Sequence, residues 1–195
     1  MTKFSQIKSR VVSLPINDID TDQIIPASFL KGTDKSGLAA GLFAGWRYFS
    51  DGSPKPDFVL NKPEVSGAQI LLVGNNFGCG SSREHAAWAL RDFGFRAFIS
   101  TSFADIFRNN SIKNGLLPVE VGAPDFRRLI DLIAHNPEAE VEVDLALQEV
   151  RLPEGKPIPF PIDSFSKYCL LTGMDELDYI LSFAAEISAY EGAHR

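Results

Sequence analysis

The residues best equipped for chemistry lie between Gly74 and Ala87, in the run GNNFGCGSSREHAA. Its glycines allow sharp turns and let backbone N–H groups come close to a ligand. The run falls between an apolar segment, Gln69 to Val73, and a helical pattern from Arg83 to Phe93. A helix start adds unpaired N–H donors and the positive end of the macrodipole, which together attract an anion. Ser81, Ser82 and Arg83 stand at that start, and a guanidinium grips a carboxylate with two prongs. A competing reading needs no ligand. Ser81 and Glu84 have the S-x-x-E spacing of a capping box, and the two readings are compatible. The run is neither a dinucleotide fingerprint nor a phosphate loop, because Arg83 follows the serines and no lysine precedes them.

Other reactive side chains carry weaker signals. Asp18, Asp20 and Asp22 have the alternate spacing of a calcium loop, but the glycine and the distal glutamate of that motif are missing. A structural turn accounts for Asp18 and Asp20. Cys79 lies inside the glycine-rich run. A helix N-terminus would lower its pKa, while a packing role asks nothing of its reactivity. His85, one turn into the helix, reads as a local hydrogen-bonding residue. Lys31 and Lys35 are basic groups on a glycine-rich stretch. Trp46, Tyr48 and the phenylalanines read as core or subunit contact rather than a ligand cage.

The elements that must hold these residues alternate. Arg10 to Leu14 reads as a strand, Asn17 to Pro26 as an ordered loop, and Leu42 to Tyr48 as a short helix. Gln69 to Val73, Ala97 to Ile99 and Leu116 to Val121 are strands, separated by helices over 83–93 and 103–110. Such alternation predicts parallel βαβ units. Helices follow at 125–134, 163–172 and 174–189, with a hairpin at 140–152. A single domain spans 1–195, with a mobile loop expected at 31–45, where glycines are many and periodicity is weak.

Composition narrows the function classes. The chain has 195 residues, 45% of them apolar, enough for a core without metals or disulfides. Its 19 basic residues are scattered against a net charge of −6, which speaks against nucleic acid. No apolar run approaches the roughly 18 residues of a membrane helix. Met1 to Arg10 lacks the apolar centre of a secretory signal, so the expected compartment is the cytoplasm. The 2 cysteines, Cys79 and Cys169, are too few for a disulfide scaffold. They are also too few for an iron–sulfur cluster, which takes about four thiolates, or three when one iron is left open.

The run GNNFGCGSSREHAAWAL resembles the signature of the swivelling domain shared by aconitases and isopropylmalate isomerases. The resemblance extends to DIDTDQIIPASFL at 18–30, SFADIFRNNSIKNGLLPVEV at 102–121 and FPIDSFSKYCLLTGMDEL at 160–177. It implies a three-layer β/β/α fold and a bacterial-type small subunit. That subunit forms a heterodimer with a large subunit that carries a [4Fe–4S] cluster, and binds no cofactor itself. Together they interconvert 2-isopropylmalate and 3-isopropylmalate by dehydration and rehydration, in leucine biosynthesis. By the same resemblance Ser81 is the general base, Ser82 and Arg83 bind a substrate carboxylate, Asp22 lies near the pocket, and Lys31 sits on a candidate substrate loop. Ser28 and Ser111 depart from residues common in relatives. A sister hydratase acting on citraconate and methylmalate, or on homoaconitate, is the close alternative. A stand-alone anion- or nucleotide-binding module is the alternative from another class.

Overall fold

The computed structural model describes residues 2–30 and 37–194. In chain order its elements are β1 (Gln6–Leu14), α1 (Thr21–Ile24), α2 (Ala44–Arg47), β2 (Ile70–Val73), α3 (Glu84–Phe93), β3 (Ala97–Ser100), α4 (Asp105–Lys113), β4 (Leu117–Glu120), α5 (Ala123–His135), β5 (Glu140–Asp144), β6 (Glu149–Arg151), β7 (Ile158–Pro159), α6 (Ser164–Thr172), α7 (Glu176–Leu181) and α8 (Ala184–Ala193). Among the described residues the strands form one 7-stranded sheet in the order β4-β3-β2-β1-β5-β6-β7.

β1 is the seam of that sheet. Its last residues, Val11 to Leu14, run parallel to β2, and its first, Gln6 to Arg10, run antiparallel to β5. The parallel half, β1 to β4, carries α3 and α4 as its crossover helices. The expected βαβ units are therefore present, and the alternating sequence pattern is their cause. Side chains of the parallel strands alternate between two cores. Val12, Leu14, Leu71, Val73 and Phe98 face a cluster that includes Ile24, Ala86, Leu90 and Phe107. Val11, Ile70, Leu72, Ala97 and Ile99 face the other, with Val141, Val143, Val150 and Ile158 of the antiparallel half and Leu129 and Ile133 of α5. The two halves thus share one core, so the sheet curls back over it. The result is a mixed α/β fold of the expected class: helices, parallel sheet, antiparallel sheet.

Two local expectations are corrected. The loop at 17–26 contains α1, because the Asp20 carboxylate accepts from Gln23 N–H at 2.8 Å and the Gln23 side chain accepts from Asp20 N–H at 2.8 Å. This is a reciprocal capping box. The last helix is broken at Ser182 and Phe183 into α7 and α8. Of the stretch expected to be mobile, 31–36 lie outside the described residues. Leu42 and Phe43, later in the same stretch, are fully buried, and the Phe43 ring stacks on Trp46 at 5.6 Å. Two bulky apolar side chains outweigh the glycines around them.

Gly78 shows how tightly the glycine-rich run is packed. Its φ is +78°, and a Cβ there would lie 2.2 Å from Cγ of the buried Phe107 ring. Gly78→Ala should therefore add left-handed strain to overpacking and cost about 2–5 kcal/mol. Urea denaturation measures this. A loss below about 0.5 kcal/mol, the usual surface range, would mean that the turn relaxes freely.

Candidate functional site

The parallel strands end level with one another. Leu14 pairs with Val73, and Leu72 with Ile99. The segments that follow them meet at the carboxyl edge of the sheet, where open α/β sheets commonly bind ligands. Close approach is forced at Gly74, where a Cβ would sit 2.3 Å from the Ile16 carbonyl oxygen. Backbone bonds then join the segments: Asp18 N–H to Asn75 O at 2.9 Å, Gly78 N–H to Ile19 O at 2.8 Å, and Thr21 N–H to Cys79 O at 2.9 Å. On the far side Ala104 N–H donates to Phe77 O at 3.0 Å. Side chains add to this. Asn76 donates to the Asp18 carboxylate at 2.8 Å, and the Ser102 hydroxyl to the Asn75 side chain at 2.8 Å.

This frame brings four of the five expected site residues together. Ser81 and Ser82 are exposed where the run reaches α3. Arg83 ion-pairs with Asp22, whose carboxylate is 57% exposed. That contact uses one guanidinium nitrogen. A guanidinium has five N–H donors, so a prong pair remains for a carboxylate. Lys31, the fifth, lies outside the described residues, as does Lys35.

The capping reading of Ser81 is overturned. Arg83 is the N-cap of α3 and makes no side-chain cap bond. The Ser81 hydroxyl points elsewhere, 3.2 Å from the Thr21 hydroxyl. Glu84, the other half of the supposed box, accepts instead from Trp88 Nε1–H at 3.1 Å and from the Asn114 amide at 2.8 Å. It ties α3 to α4. His85 packs its ring on Trp88 at 4.5 Å, a structural contact.

For Cys79 the packing alternative is the one the geometry supports. Burial pushes its thiol pKa up, and the charges of Asp20 and Asp18 push it further. Its Sγ lies 3.5 Å from the Asp18 carbonyl oxygen. A protonated thiol packing one loop on another is the role this geometry supports, not a low-pKa nucleophile. Among the described residues no group of three or more His, Cys, Asp or Glu could hold a metal ion. No helix among them is long and apolar enough to cross a membrane.

Sequence reading missed Thr21. It is 1% exposed, next to Asp22, and its hydroxyl contacts Ser81 twice. A threonine between two acids in DIDTD was the only available signal, since nothing in the sequence pairs 21 with 81.

The same chain matches known proteins along its length. The family model for the aconitase C-terminal domain matches residues 1–124, and the model LeuD_N matches 127–164. A 3-isopropylmalate dehydratase small subunit from Chloroflexus aggregans is 59% identical over 194 residues, covering 100% of this chain and 95% of that protein. Another, from Anaeromyxobacter dehalogenans, is 57% identical, covering 97% of each. The crystal structure of a 3-isopropylmalate dehydratase from Methanocaldococcus jannaschii superposes with a TM-score of 0.67 at 29% identity, covering 95% of this chain and 99% of that one. A domain match over residues 1–124 and near-full-length relatives agree, and the chain belongs to the family of 3-isopropylmalate dehydratase small subunits, within the aconitase C-terminal domain family.

Proposed function

We propose that this chain is the small subunit of a hydro-lyase that interconverts 2- and 3-isopropylmalate, and that it works in a complex with a large subunit. The carrying observation is the cluster of Ser81, Ser82 and Arg83 at the carboxyl edge of the parallel sheet, with Asp22 ion-paired to Arg83. Relatives of 56–59% identity named as small subunits of this dehydratase support the same reading.

The reaction removes a weakly acidic C–H proton and a neighbouring hydroxyl, then returns water across the double bond. Ser81, as its alkoxide, takes the proton, the C–H electron pair becomes the double bond, and the hydroxyl leaves with its bonding pair; on rehydration Ser81 returns the proton to carbon and is an alkoxide again. Arg83, aligned by Asp22, holds a substrate carboxylate in a bidentate grip that Lys could not reproduce. Ser82 adds a hydroxyl donor beside it. The Arg83 charge and the positive end of α3 favour a negative Ser81 oxygen and the anionic substrate.

The departing hydroxyl calls for a Lewis acid. An iron–sulfur cluster takes three or four thiolates. The 2 cysteines here do not fit it, since Cys79 packs on Asp18 and Cys169 is buried in α6. The cluster that the family resemblance implies is therefore assigned to the proposed large subunit. The compartment that follows for such a pair is the cytoplasm.

Substrate competition tests this reading. The purified complex should process 3-isopropylmalate with a kcat/KM at least about tenfold above those for citraconate and homoaconitate, the discrimination a few methylenes supply. A preference for citraconate or homoaconitate would assign the chain to a sister hydratase. A nucleotide that raised the melting temperature of the lone chain would favour a binding module instead.

A further inference from the structure

Thr21 is the first residue of α1 and is 1% exposed. Its hydroxyl does not cap that helix, because the Asp20 carboxylate already holds the Gln23 N–H at 2.8 Å. A buried hydroxyl costs free energy unless it is hydrogen-bonded. Both bonds that satisfy this one are to a single residue far along the chain. Thr21 Oγ1 donates to the Ser81 carbonyl oxygen at 3.1 Å and lies 3.2 Å from Ser81 Oγ. The backbone on either side is held too, by Thr21 N–H to Cys79 O at 2.9 Å and Ile25 N–H to Thr21 O at 3.0 Å. A β-branched side chain has few χ1 states, so the oxygen is aimed as well as buried.

We infer that Thr21 is a positioning residue for Ser81, acting as a donor that serves two acceptors on that serine in turn. The inference rests on the reading of Ser81 as the base. A hydroxyl has one proton and two lone pairs. While Ser81 is protonated, Thr21 gives its proton to the Ser81 carbonyl and accepts the Ser81 hydroxyl. When Ser81 is an alkoxide, rotation about the Thr21 Cβ–Oγ1 bond turns the same proton to Ser81 Oγ. Both acceptors already lie within hydrogen-bond distance of Thr21 Oγ1, at 3.1 and 3.2 Å, so turning the hydroxyl is enough to exchange them. The negative oxygen then gains a charge-assisted bond inside the protein. When Ser81 receives the substrate proton, Thr21 returns to the carbonyl; when Ser81 gives that proton back to carbon on rehydration, the alkoxide and its bond from Thr21 are restored.

The test uses the assembled two-subunit enzyme. Thr21→Val keeps the shape and removes the donor. It should lower kcat by roughly 10- to 100-fold, below or near the loss of one oxyanion donor, with KM within about twofold. The kinetic isotope effect for substrate deuterated at the abstracted C–H should rise, since proton transfer becomes more limiting. Thr21→Ser restores the hydroxyl and should keep at least about half the turnover with the normal isotope effect. In a Ser81→Ala background Thr21→Val should have no further effect, as expected of residues that act as a unit.

Normal kcat in Thr21→Val, or a full additional loss in the double variant, overturns the inference. So does a drop of more than about tenfold in Thr21→Ser, which also decides the matter should Thr21→Val fail to assemble. Ser81→Ala separates the two ideas. Near-normal turnover there removes the base reading itself. An inactive Ser81→Ala beside a normal Thr21→Val removes only the role of Thr21.

Discussion

Ser81→Ala is expected to cut turnover of the assembled enzyme by at least about 100-fold, the lower end for a general base, while the chain folds and assembles as before. The separation is sharper than sequence alone allowed. Were Ser81 the cap of α3, its loss would cost about 1 kcal/mol and depress the melting temperature. Arg83 occupies the cap position, and the Ser81 side chain turns to Thr21 instead. The alanine variant therefore loses one partly buried hydroxyl contact and no cap. A melting temperature within about two degrees of wild type is expected, since surface changes stay near half a kcal/mol. Turnover and melting are to be read on the same complexes. More than about a tenth of wild-type turnover would show that another group takes the proton. A collapse of turnover together with a lost assembly would point to a structural role.

Much of this site was legible because it is contiguous. Ser81, Ser82 and Arg83 follow a glycine-rich run between an apolar strand and a helix, and each signal is local. The parallel half of the sheet was legible for the same reason, since residues 70–73 and 97–99 are continuous apolar runs around an amphipathic α3. What the sequence hid depends on pairing. The S-x-x-E spacing at 81–84 is a genuine capping pattern, yet α3 begins only at Glu84, and Glu84 is engaged by Trp88 and Asn114. A short-range motif lost to a long-range contact. The D-x-x-Q spacing at 20–23 did form a capping box, and acids taken as loop residues concealed it. Thr21 and Asp22 reach Ser81 and Arg83 only because β1 and β2 are adjacent parallel strands, which no spacing of residues encodes. The break between α7 and α8 has no glycine or proline to announce it.

The chain purified alone is expected to show no turnover of isopropylmalate, and to gain it on mixing anaerobically with a cluster-loaded large subunit. Two features of the molecule lead there. First, Ser81, Ser82 and Asp22 are exposed at the edge of the sheet, open to water. A serine hydroxyl is a weak nucleophile and base at its free pKa. Fixed donors such as Arg83 act strongly only where water is excluded, and water on this edge screens them. A second body has to close over it. Ile16, Phe29 and Ile106, which follow β1, α1 and β3 respectively, are 45%, 37% and 52% exposed and give that body apolar surface to cover. Second, the hydroxyl that leaves needs a Lewis acid, and the described residues offer no group of three or more ligands for one. Ultraviolet absorbance of the conjugated unsaturated acid reports turnover, and the melting temperature of this chain reports assembly by mass action. Mixing should raise both. Turnover by the lone, metal-free chain above about 1% of that of the complex would show that the edge is a complete active site. A raised melting temperature with no gain in turnover would mean that the partner binds this chain without closing the edge that carries Ser81.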